Sequence, residues 1–104
     1  MAQNPLDMVI GSDETLRRDS ATAQKHIAAA SKAEVDGDRW LAINELRRAV
    51  AADNTSAELL FRLAYQLDLV GEEDEAIALY EQCIARPPAM VNALMNLAVM
   101  YEDR

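Results

Sequence analysis

The chain has 104 residues, 51% of them apolar and 27% charged, with a formal net charge of −8 and a sequence pI near 4.5. That length holds at most one domain, the single cysteine, Cys83, excludes an internal disulfide framework, and the acidic balance disfavours direct binding of nucleic acid or anionic lipid. No apolar run approaches the ~18 residues that a membrane span needs, and the opening MAQNPLDMVIGSDE lacks the basic and long apolar regions of a signal peptide.

Long Ala-, Leu-, Glu- and Arg-rich stretches with three Gly and three Pro predict an all-α chain. Pro5, Gly11 and Ser12 interrupt the first segment. There Asp13 to Asp19 form a short helix or extend the next one, and Leu6, Met8, Val9 and Ile10 are expected to cap the array. The first long helix is expected at 21–36, ended by Gly37 in a left-handed conformation. A second follows at 39–52. A third, at 56–70, opens on Thr55 and Glu58, the spacing of a capping box, and ends at Gly71. The fourth, at 73–86, begins in the stretch GEEDEAIALYEQCIARPP, where Glu72 to Glu75 offset the positive end of the helix dipole. Pro88 stops it, and a fifth helix is expected at 89–103.

The quoted stretch repeats at a distance of 34 residues. Gly71 falls on Gly37, Ala76-Ile77 on Ala42-Ile43, Tyr80 on Leu46 and Cys83 on Ala49. Leu60, Leu63 and Ala64 return as Leu94, Leu97 and Ala98, and Ala30 precedes Ala64 at the same interval. Small residues at fixed spacing let two helices approach closely. A fixed period of this length marks stacked helix pairs.

On these residues the chain resembles the tetratricopeptide repeat family. The resemblance covers residues 23–104. It divides them into a first repeat at 23–56, a second at 57–90 and the first helix of a third at 91–104, after an N-terminal segment at 1–22. The second repeat carries the pattern most fully, in Leu60, Leu63, Ala64, Leu67, Gly71, Ala76, Tyr80, Cys83 and Pro88. The first departs at His26 and at Asn54. The implied fold is an antiparallel helix-pair solenoid, a right-handed superhelix of about five helices.

No motif for catalysis is present, and neither a cofactor nor a metal is expected. His26 is expected on the packing side of its helix, Cys83 to be buried and inert, and the acidic cluster 72–75 lacks the spacing of a calcium loop. Trp40 is expected near the outer side of the array. The resemblance implies a concave groove lined by the first helix of each repeat. Its positions are Gln24, Ile27, Ser31 and Glu34, then Glu58, Phe61, Tyr65 and Asp68, then Asn92, Met95, Val99 and Glu102. Phe61, Tyr65, Met95 and Val99 form an apolar stripe edged by acids, which fits a protein or peptide segment that is apolar with basic residues. Alternatively, Phe61 and Tyr65 only pack against neighbouring helices. Family members that clamp chaperone C-termini do so with Lys, Asn and Arg. Here the matching positions include Ile27, Ser31, Asn92 and Asn96, so the basic members are missing.

The leading expectation is a non-enzymatic, cytoplasmic interaction scaffold. Two alternatives stand beside it. NALMNLAVMYEDR resembles segments of bacterial proteins in which such repeats precede a domain like the C-terminal domain of the RNA polymerase α-subunit, which makes the chain an arm of a transcription-related protein. The other is self-association into a homo-oligomer through an exposed face on Leu94, Leu97, Ala98 and Tyr101.

Overall fold

The computed structural model describes residues 18–103. The expected cap on Leu6, Met8, Val9 and Ile10 lies outside them. Five helices follow one another: α1 (Ser20–Asp36), α2 (Arg39–Ala52), α3 (Ala57–Leu69), α4 (Glu73–Ile84) and α5 (Val91–Glu102). Each packs chiefly on its neighbours in sequence, with α1 on α2, α2 on α3, α3 on α4 and α4 on α5. This is the contact pattern of a solenoid, in which stability is a sum of local interfaces.

The two turns within helix pairs rest on glycine. Gly37 has φ of 78° and Gly71 φ of 86°. Gly37 donates its N–H to the Glu34 carbonyl and Asp38 to that of Ala33, which satisfies the last carbonyls of α1. Gly71 and Glu72 do the same for Asp68 and Leu67. Asp19, Asp38 and Ser56 cap α1, α2 and α3, each accepting a backbone N–H from three residues on.

The capping residue of α3 is therefore Ser56, and the expected Thr55–Glu58 box does not form. The Thr55 hydroxyl is drawn the other way, donating to Asp53 Oδ1 at 2.5 Å. Two helix ends also differ from expectation. α4 stops at Ile84, because a residue before proline disfavours helical backbone and Arg86 precedes Pro87. α5 starts at Val91 rather than 89, with Met90 extended as its cap.

The core runs along the array rather than in one central mass. Ala30, Ala42, Ala49, Ala64, Ala76 and Ala93 are wholly buried, and Ile43, Leu46, Leu60, Leu67, Tyr80 and Cys83 fill the space that the alanines leave. Arg18 and Asp53 form an isolated bridge, and the Asp19 N–H reaches the Ala52 carbonyl at 2.8 Å, tying the start of α1 to the end of α2. His26 and Glu45 join the same two helices through a 2.7 Å contact. Glu45 also accepts from Arg48, and its carboxyl lies below the usual range, first because of the His26 hydrogen bond.

Candidate functional site

The side of the array built from α1, α3 and α5 carries two regions. The first is a cleft of about 220 Å³ between α1 and α3, lined by Gln24, Ile27, Ser56, Glu58, Leu59 and Arg62. Its floor is the half-buried Ile27 and buried Leu59, and Glu58 stands exposed at its edge. Next to it a polar bridge closes the helices together. Arg62 donates to Glu34 at 2.8 Å and to Ser31 at 3.3 Å, and Gln66 Nε2 donates to the other Glu34 oxygen at 3.0 Å. Ser31 and Glu34 are thus engaged inside the protein. The sequence reading missed the bridge, since it links residues about thirty apart. Its signal was the pair Arg62 and Gln66, four residues apart and so on one helix face.

The second region is apolar and aromatic. Phe61 and Tyr65 lie on one face of α3 with ring centroids 6.4 Å apart, and Phe61 also meets Tyr80 at 5.7 Å. Tyr80 rises from α4 between α3 and α5. Its ring is wholly buried, and its hydroxyl accepts a hydrogen bond from Asn96 of α5 at 3.1 Å. Beside this junction Tyr65 is 45% exposed, Met95 61% and Val99 55%. Asn92 and Glu102 are exposed on the same helix as Met95 and Val99. Of the expected stripe, then, Tyr65, Met95 and Val99 are open to solvent, and Phe61 is half-buried beneath them.

Asp68 lies one turn beyond Tyr65 on α3 and is half-buried. Burial raises its pKa, and the negative charge of Glu73 adds to the effect. Its charge is felt at the Tyr80 hydroxyl, whose pKa rises mainly through burial, with the Asn96 hydrogen bond acting against the rise.

The outer side of α5 needs one correction. Leu97, expected on an exposed end face, is buried. It shares a face with Ala93 and Met100 and turns back toward α4, so its burial needs no further helix. Leu94, Ala98 and Tyr101 are exposed, and Tyr101 donates from its hydroxyl to Glu81 of α4. Cys83 is buried, donates its thiol to the Ala57 carbonyl at 3.4 Å, and is pushed up in pKa by burial. Trp40 stands half-exposed at the start of α2. Among the described residues no cluster of three His, Cys, Asp or Glu could hold a metal ion, and no helix is long and apolar enough to cross a membrane.

A solved structure shares this architecture. The crystal structure of the MamA protein superposes with a TM-score of 0.71 at 28% sequence identity, over 81% of this chain and 46% of that one. This chain therefore spans about half of MamA's length. MamA is a tetratricopeptide-like helical protein, and the fold here is likewise a tetratricopeptide-like helical repeat. No family model matches the chain, and no curated protein does.

Proposed function

We propose that this chain is a non-enzymatic interaction scaffold whose α1–α3–α5 side holds a segment of another protein. The observation that carries the reading is the patch formed by Tyr65, Met95 and Val99, which leaves large apolar side chains in water beside a rigid aromatic base, Phe61 and Tyr80. Large apolar side chains exposed on neighbouring helices in this way mark interaction sites. The architecture shared with MamA supports a scaffold in general, and the choice of this side as the binding side is ours.

The charge around the patch sets the chemistry of the partner. Glu58, Asp68 and Glu102 edge the groove, and its one arginine, Arg62, is already neutralised by Glu34. A bound segment with apolar residues flanking a cation matches that surface, whereas an acidic segment is repelled. The ends of the groove differ: the cleft at Ile27 and Ser56 is lined by polar Gln24, Glu58 and Arg62, and the α3–α5 end carries the aromatic residues. The aromatic end supplies the anchoring contacts.

The test is the double substitution Phe61→Ala with Tyr65→Ala. It should weaken binding of a partner purified with the wild-type chain by about 2 kcal/mol or more, with helicity by circular dichroism retained. Unchanged affinity would sink the reading.

A second reading, self-association, is favoured by α5 itself, which exposes Val91, Leu94, Met95, Val99 and Tyr101 on the side opposite its buried face of Ala93, Leu97 and Met100. With Leu97 turned inward, the self-associating surface becomes Leu94, Ala98 and Tyr101. Sedimentation as a monomer at every concentration removes that reading. The transcription-arm alternative rests on the motif NALMNLAVMYEDR alone, and the packing of α5 adds nothing to it.

A further inference from the structure

We infer that Asp68, beside the exposed ring of Tyr65, is the seat for the arginine side chain of the segment bound in the groove. The inference rests on the groove reading above and adds to it a residue, a ligand group and a geometry.

Four carboxylates of the described residues are half-buried: Glu34, Glu45, Asp53 and Asp68. Three have their charge answered within the protein. Glu34 accepts from Arg62 and Gln66. Glu45 meets His26 and Arg48. Asp53 accepts from both the N–H and the hydroxyl of Thr55. Asp68 alone has no side-chain hydrogen bond and no ion pair among the described residues, and the charge that acts on it, Glu73, is another acid. Taking a carboxylate partly out of water without a partner costs stability. The other three sites show how this fold otherwise settles that cost.

The surroundings say what would settle it here. Phe61, Tyr65 and Asp68 follow one another on a single face of α3, at spacings of four and three residues. Tyr65 offers an exposed aromatic ring one turn from the carboxylate. On the neighbouring α5, Asn96 is held in place by its bond to Tyr80, and Met95 and Val99 are exposed apolar side chains. An arginine guanidinium is planar, stacks on aromatic faces and bonds carboxylates through two parallel N–H groups. A lysine ammonium uses the carboxylate as a point charge and gains less from the ring. The groove therefore prefers arginine, with its stem along Tyr65 and its head on Asp68.

The experiment uses the full chain and two probes, the acetylated and amidated pentapeptide Ala-Leu-Arg-Leu-Ala and its analogue with neutral citrulline in place of arginine. Both are titrated by NMR. The arginine peptide should give saturable shifts at Tyr65, Asp68 and Asn96 and bind at least about tenfold more tightly than the citrulline peptide, as a charged hydrogen-bonded pair requires. Asp68→Asn should abolish that difference, and Asp74→Asn, on the exposed start of α4, should leave it intact. If both peptides shift the groove resonances with equal affinity, the arginine seat is wrong and the groove reading stands. If neither shifts them, both are wrong. Shifts spread over the surface acids, unaffected by Asp68→Asn, also overturn the seat.

Discussion

Asp68 is where residue chemistry and residue identity disagree most. Its raised pKa means that the folded protein prefers the protonated acid more than the unfolded chain does. The charged form therefore costs stability at neutral pH, where both states are ionised. The cost is relieved as pH falls through the folded value. Asp68→Asn should accordingly melt higher than wild type at pH 7, by less than about 1 kcal/mol, with the gap closing as pH drops into the carboxylate range. A lower melting temperature for the variant at pH 7 would mean that an internal partner holds Asp68. A stabilising change at a binding residue is the usual sign of a site selected for something other than stability. None of this was legible in the sequence, which shows an aspartate at a groove position but not that every other half-buried acid has a partner. Cys83 was legible: its place in the repeat of small residues announced a buried thiol, and it is one.

At the scale of elements, the turn glycines give the cleanest test of why the helices end where they do. A Cβ built on Gly71 meets no atom within 4 Å, so the site has room. What forbids a side chain there is the left-handed backbone, at φ of 86°. Gly71→Ala should therefore cost roughly 1–2 kcal/mol in urea unfolding, and Gly71→Asn less, because asparagine tolerates that conformation. No loss in either variant would show that the turn is not left-handed. Helix existence and order could be read from the 34-residue spacing of Gly37 and Gly71 and from the paired alanines. Helix ends could not be read so well. Ser56 displaced Thr55 as a cap because Asp53 competes for the Thr55 hydroxyl, and Pro87 acts on the residue before it, which shortens α4. The same register that placed Leu97 at the end of the array also aligns it with the buried Leu63. That alignment was the better guide to which way it points.

Across the whole molecule, neighbour-only packing leaves one side of the array free to be a surface. α2 and α4 bury Ala42, Ala49, Ala76 and Cys83, and α3 and α5 expose Tyr65, Met95 and Val99. The second half of the chain, from residue 57, has nine acids against three bases, and the first half nine against seven. The half that carries the aromatic end of the groove is therefore the more acidic one, which favours cationic partners. Site-specific photo-crosslinking tests this account most directly. A photoreactive phenylalanine replaces, one at a time, Tyr65 in the groove, Trp40 at the start of α2 and Tyr101 on the outer side of α5. The account predicts cross-linking to another protein from position 65 and little from position 40. Equal yields at 65 and 40, or a cross-linked homodimer from position 101 with nothing at 65, would contradict it.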